Sequence, residues 1–246
     1  MPSTARCKSH LREPRRLTLS GVGRLKLLCY TQSMKYPSVT LELQMVAGGY
    51  PVVIGVDEVG RGCLAGPVIA AAVVFEWGDE MQKARRELKK LVRDSKLLPR
   101  EVRREANELI RTYAQAFAIG SSEADEIDRI NILQATFVAM NQAVNRVKEK
   151  LPSQDMFILV DGNKTIPGAG GMQEAIIDGD AKIFSIAAAS IIAKEHRDSL
   201  MEKIDKLYPM YNFAKHKGYG TLEHRQAIEK HGLSPVHRLT FQVKST

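Results

Sequence analysis

Two adjacent acids, Asp57 and Glu58, follow the apolar run Val52-Val53-Ile54-Gly55-Val56, and Gly60-Arg61-Gly62 comes soon after. A β-branched run of this kind reads as a buried strand, so the acids stand near its carboxyl end, where more apolar residues would be expected. Neighbours on a regular strand point to opposite faces. If both acids serve one site, the strand must end, twist or bulge there, and the two glycines supply the backbone freedom. A second apolar run, Met156–Val160, ends on Asp161-Gly162. Asp-Gly is also a common turn, so Asp161 alone has an ordinary reading. Three acids at the carboxyl ends of two strands are harder to assign to turns, because ligands of open α/β sheets bind outside those ends. Carboxylates gathered closely repel one another, and some stay protonated unless a cation neutralises them. Hard oxygen donors favour Mg²⁺ or Mn²⁺.

Another acid lies on IFSIAAASIIAKEHRD, which reads as part of a long helix over 183–207 with Pro209 just past its end. The small side chains Ala187-Ala188-Ala189-Ser190 let that helix pack close to a sheet. Asp198 follows two to three turns later. By itself it reads as a solvated acid paired with Lys194 at i,i−4, and Glu195 and Glu202 read the same way.

The elements that must position these residues follow from the pattern. The predicted strands are 52–57, 68–75, 116–120, 156–161 and 175–177. The first two are joined by a short Gly-rich link, so they form an antiparallel pair. Apolar residues at Ile127, Ile130, Leu133, Phe137, Met140, Val144 and Val147 give one amphipathic helix over 126–150. Thr221 can cap a further helix that stops near Gly232. An antiparallel start followed by alternating strands and helices means an α/β fold, a mixed β-sheet flanked by helices.

At 246 residues the chain suits one domain, or one domain with an appendage. Its net charge of +8 is uneven. Residues 1–49 hold eight Lys and Arg against Glu13 and Glu42, so a basic arm over 1–49 precedes a nearly balanced body over 50–246. The arm reads as a disordered segment or as a start placed ahead of Met34 or Met45, with an organelle transit peptide as the alternative. A nucleic-acid partner must therefore be argued from local patches in the body. One such patch is the basic stretch from Lys83 to Arg104, though acids are interspersed in it. Cys7, Cys29 and Cys63 have no ligand-like spacing, which argues against structural zinc and a disulfide framework and for a cytoplasmic protein. The apolar runs are too short to span a bilayer.

GVDEVGRG, ILVDGN and SIAAASIIAKEHRD, followed by HKGYGT, closely resemble ribonuclease HII, the prokaryotic type 2 ribonuclease H, from about Val52 to Phe241. The resemblance implies a ribonuclease H-like fold with a C-terminal helical extension. It implies an endonuclease that cuts RNA in RNA–DNA hybrids and on the 5′ side of single ribonucleotides in duplex DNA, leaving 5′-phosphate and 3′-hydroxyl ends. Carried over by position, it makes Asp57, Glu58, Asp161 and Asp198 the catalytic and metal-binding acids of a two-metal site for Mg²⁺ or Mn²⁺. It assigns Gly60-Arg61-Gly62 and Tyr219 to the ribose 2′-hydroxyl, which separates RNA from DNA. It gives Ser95 and Lys96 a phosphate-contacting role. Whether His216 or Lys217 also reaches substrate stays open, and the histidines at 216, 224, 231 and 237 read mostly as surface or capping residues. The pair Glu195-His196 departs from the family pattern. The related ribonuclease HIII has another residue in place of Arg61 and a platform domain that residues 1–49 do not match. A strand-transfer enzyme on DNA, or a binding protein that has kept the fold, would be expected to lack the Gly60–Gly62 and Tyr219 set or one of the acids. A monomer is expected, and FQVKST shows no sliding-clamp motif.

Overall fold

The computed structural model describes residues 36–78, 87, 88, 91, 92, 98–151 and 155–241. Ser95, Lys96 and much of the basic stretch lie outside the described residues, as do residues 1–35. Five strands form one sheet in the order β3-β2-β1-β4-β5: β1 Val52–Val59, β2 Val68–Phe75, β3 Ala114–Ser122, β4 Met156–Asp161 and β5 Met172–Ile176. The pairs β1–β2 and β2–β3 are antiparallel, and β1–β4 and β4–β5 are parallel. The expected mixed sheet is therefore present, with β1 at its centre.

Helices cover both faces. Val52, Ile54 and Val56 of β1 pack against Ala139, Ala143, Val144 and Val147 of α4 (Ile132–Lys150). Ile69, Ala71 and Val73 of β2 pack on the opposite face with Ala187, Ala188, Ala189 and Ile191 of α6 (Phe184–Leu207) and Ile110 of α2 (Arg100–Tyr113). A Cβ built on Gly55 would lie 2.2 Å from the Ser185 carbonyl carbon. Gly55 therefore sits in β1 because the backbone of α6 passes directly over it. The Ala-rich run of α6 follows from the same close packing.

The helix expected over 126–150 is two. Asn131 stands at φ 67° between α3 (Ala124–Ile130) and α4, and its side chain accepts hydrogen bonds from Leu133 N and Gln134 N. This N-cap lets the apolar stripe continue across a break that periodicity does not register. After the short α5 (Gly179–Lys182) and the long α6 come a 3₁₀ turn at Pro209–Tyr211, α7 (Phe213–His216) and α8 (Leu222–His231). Thr221 Oγ1 accepts from His224 N and Gly232 ends α8, as expected. Among the described residues no helix is long and apolar enough to cross a membrane.

The stretch ahead of β1 departs from the expected boundary at residue 49. Thr40–Ala47 forms α1, and Leu41, Met45 and Val46 pack against Val53, Phe157 and Ile186. Ser38 N donates to Lys182 O at 2.9 Å, and Phe184 N donates to Ser38 O at 3.0 Å. Glu42 is fully buried and accepts from Ser185 N at 2.9 Å and Ser185 Oγ at 3.0 Å. Its carboxylate thus meets the amino end of α6, where negative charge is favoured. The count that puts Glu42 in a charged arm cannot see that this acid is internal. A chain beginning at Met45 is expected to melt well below one beginning at Met34. The lost charge–helix contact is worth roughly 1–2 kcal/mol and the lost burial of Val39 about 2 kcal/mol. For a protein of this size that is about 5–15 °C in Tm, read by thermal denaturation of the two chains.

Candidate active site

The acids meet in the fork between β1 and β4. The parallel pairing of these strands ends at Val56↔Val160, so Asp57 and Asp161 stand at equivalent positions just beyond the last pair. On β1, Asp57 shares the α6-facing side with Val53 and Gly55. Glu58 follows on regular pairing with β2, Asp57↔Ala71 and Glu58↔Ala70, so no bulge is needed at the acids. One carboxylate oxygen from each of Asp57, Glu58 and Asp161 lies within 4.8 Å of the others. The end of the β1–β4 ladder, rather than an irregular strand, opens the space into which neighbouring acids converge.

The fork is partly buried and negative. Asp57 is buried at 4% exposure. Burial pushes its carboxyl well above the usual range, and the charges of Glu58, Asp161 and Asp180 push it further, against a hydrogen bond with Ser190. Burial also raises Glu58, opposed by the Arg61 guanidinium 3.1 Å away. Asp57 Oδ1 accepts from Glu58 N at 2.7 Å. Asp161 Oδ1 accepts from Gly179 N at 2.7 Å and Asp180 N at 3.3 Å. These bonds orient the acids without neutralising them. The donor set is all carboxylate oxygen, which fits a hard divalent cation.

The remaining predicted residues divide. Arg61 reaches back to Glu58 while staying half exposed. Gly60 has φ +95°, and a Cβ there would lie 2.3 Å from Arg197 Nε, so the fold itself demands glycine. A Cβ on Gly62 would meet nothing within 4 Å, so the fold makes no such demand there. Tyr219 pairs with Cys63 in an isolated antiparallel bridge, which brings its turn beside the glycine loop. Tyr219 is 40% exposed, with Lys194 Nζ and Arg197 Cζ about 6 Å from its ring centroid.

Asp198 is not brought into the carboxylate group. It is buried in ion pairs with Lys194 Nζ at 2.8 Å and Arg103 Nη2 at 3.1 Å. Lys217 is also engaged: its ammonium donates to Glu202 Oε1 at 2.8 Å and to Ala214 O at 2.6 Å. His216, His224 and His237 are buried rather than superficial. His216 and His224 stack at 4.3 Å between ring centres, and His224 Nε2 lies 3.0 Å from His237 Nε2.

Sequence reasoning missed Asp180, Arg197 and Arg238. Asp178-Gly179-Asp180 looks like a polar turn, though an acid beside a glycine after a short strand repeats the pattern of Asp161-Gly162. Both arginines are almost fully buried. Arg197 donates to the carbonyls of Ala65, Pro67 and Lys217, and Arg238 to those of Gly60, Arg61 and Gly66.

The family model described as ribonuclease HII matches residues 54–244. A ribonuclease HII of Chlorobium luteolum is 44% identical over 209 residues, 85% of this chain and 97% of the relative. A ribonuclease H2 crystal structure from Pyrococcus horikoshii OT3 has a TM-score of 0.64 at 25% identity, over 78% of this chain and 94% of that one. The ribonuclease HII in a PCNA complex from Archaeoglobus fulgidus has the same TM-score at 22% identity, over 79% and 97%, and bears on the fold alone.

Because Asp57 binds its proton more tightly folded than unfolded, its contribution to stability is full at acid pH. It is lost as pH rises through the elevated folded value. Asp57→Asn removes that repulsion. At neutral pH the variant is expected to melt higher than the wild type in chelator, and to lose the rise in Tm that Mg²⁺ gives the wild type. Scanning calorimetry of both proteins with and without the ion reads this; a lower metal-free Tm for the variant contradicts it.

Proposed function

The chain belongs to the ribonuclease HII family, and on that premise we propose which residues carry its chemistry. It is an endoribonuclease acting on RNA–DNA hybrids and on ribonucleotides within duplex DNA. The observation that carries the assignment is the fork of Asp57, Glu58 and Asp161, beside a loop whose Gly62 has no internal reason to be glycine.

Asp57, Glu58 and Asp161 hold the divalent ions, Mg²⁺ or Mn²⁺. Asp180 is their fourth carboxylate in place of Asp198, because Asp180 bears electrostatically on Asp57 whereas Asp198 is neutralised by Lys194 and Arg103. When bound, such ions supply water activation and offset of negative charge at the scissile phosphate. The chain's own residues supply orientation and discrimination. Asp161 is fixed by the Gly179 and Asp180 amides, and Asp57 by the Glu58 amide and Ser190. The open side of Gly62 lets a sugar approach the loop backbone. Tyr219, held beside Cys63, offers a ring face and a phenol to the same sugar. Burial holds that phenol above its ordinary value, so it is a proton donor at neutral pH. A site built around one sugar hydroxyl needs no run of ribonucleotides, so a single embedded ribonucleotide is cut, on its 5′ side, leaving 5′-phosphate and 3′-hydroxyl ends.

The test is a labelled duplex with one ribonucleotide, its products sized to the nucleotide. Cleavage 5′ of the ribonucleotide is expected in Mg²⁺ and none in chelator. Asp180→Asn is expected to lower kcat by about 100-fold or more, as for loss of a group acting on transition-state charge. Asp198→Asn is expected to fall less than tenfold at temperatures where it is folded. The reverse order of the two variants rejects Asp180. Cleavage only within runs of ribonucleotides rejects the single-sugar site.

A further inference from the structure

The residues 63–66 lie between two other segments. On one side Cys63 bridges Tyr219 and Leu64 N donates to Gly218 O at 2.8 Å. On the other, Ala65 bridges His237, Gly66 N donates to Val236 O at 2.8 Å and Arg238 N donates to Leu64 O at 2.9 Å. The consecutive side chains of His237 and Arg238 then run to different destinations. Arg238 Nη1 reaches Arg61 O at 2.9 Å and Nη2 reaches Gly60 O at 2.7 Å, while Gly66 O accepts from Nε. His237 reaches Tyr219 through a second ring.

The hydrogen-bond roles along that path are determined. Ser234 N donates to His237 Nδ1 at 2.9 Å, so in the neutral ring the proton sits on Nε2. That proton is donated to His224 Nε2, 3.0 Å away, which must then be an acceptor. His224 therefore carries its proton on Nδ1 and donates it to Tyr219 O at 2.9 Å. Alongside, His216 accepts from Gly218 N and donates to Tyr211 O. Burial depresses the basicity of His224, to about 4, and of His237, which keeps the chain of bonds neutral.

We propose that Ser234–Arg238 is a positioning element for sugar recognition, in which Arg238 sets the Gly60-Arg61 backbone and His237, through His224, sets Tyr219. This rests on the reading above that the glycine loop and Tyr219 contact the ribose hydroxyl. The two halves of that contact come from chain segments about 160 residues apart in sequence, and one short segment ties them to a common frame. His237 and Arg238 are themselves buried, so they act through the groups that they hold.

Two variants of the full chain test it. Arg238→Lys keeps the charge and loses the planar fork. His237→Asn keeps an acceptor for Ser234 N and loses the reach to His224. The assay measures KM for a duplex with one ribonucleotide and Ki for the all-DNA duplex as competitor, both in Mg²⁺. In the wild type Ki exceeds KM by about tenfold or more, as expected for one or two hydrogen bonds to the sugar. Both variants are expected to bring the two constants within about threefold, by raising KM while Ki stays unchanged. A general loss of structure would raise both constants together, and that result overturns the proposal. So does a wild-type ratio kept in the folded variants; if Arg238→Lys does not fold, His237→Asn decides alone. A wild type that binds both duplexes alike removes the sugar reading, and this proposal with it.

Discussion

Mutual repulsion of carboxylates in a partly buried fork is the constraint around which the rest is arranged. Asp57, Glu58 and Asp161 would move apart if the backbone allowed it. It does not, because they stand on the two central parallel strands of the sheet at the point where the pairing stops. Below that point, Val52–Val56 is packed on both faces. Gly55 lets α6 press onto β1, and Glu42 binds the amino end of that helix. The scaffold holds together charges that a cation can neutralise.

The neighbouring loop follows different physics. Its glycines are not equivalent: Gly60 is required by the fold, whereas Gly62 faces open space. Two buried guanidiniums hold the loop's carbonyls and tie it to the Tyr219 turn. Arginine suits this use because its planar donors serve several acceptors at once and its charge persists under burial. Arg238 is lowered only to about 10, still protonated at neutral pH.

Much of this was legible in the residues. The β-branched runs gave β1, β2 and β4 nearly to the residue, and the acids at their ends marked the fork, because strand pattern is local and burial is written in apolar composition. What stayed hidden depends on tertiary partners. Asn131 breaks a helix whose apolar stripe runs on. Glu42 looks like tail charge and is internal. The ion pairing of Asp198 was only half legible, because the motif places an acid on a helix within reach of Lys194 but cannot say that Arg103, from α2, will also reach it. The histidines read mostly as surface or capping groups because polar residues usually are exposed, and nothing in the sequence marks Arg197 or Arg238 as buried. Their burial is possible only because backbone carbonyls and other rings satisfy them.

Burial and mutual repulsion raise the proton affinity of Asp57 and Glu58, so a divalent ion binds the fork in competition with protons. Titration calorimetry of Mg²⁺ or Mn²⁺ into the protein, in buffers of different ionisation enthalpy, counts the protons released. Net release is expected to grow as pH falls from neutral toward the ordinary carboxylate range, and to shrink in Asp57→Asn. Ion binding with no proton release across that range would contradict it.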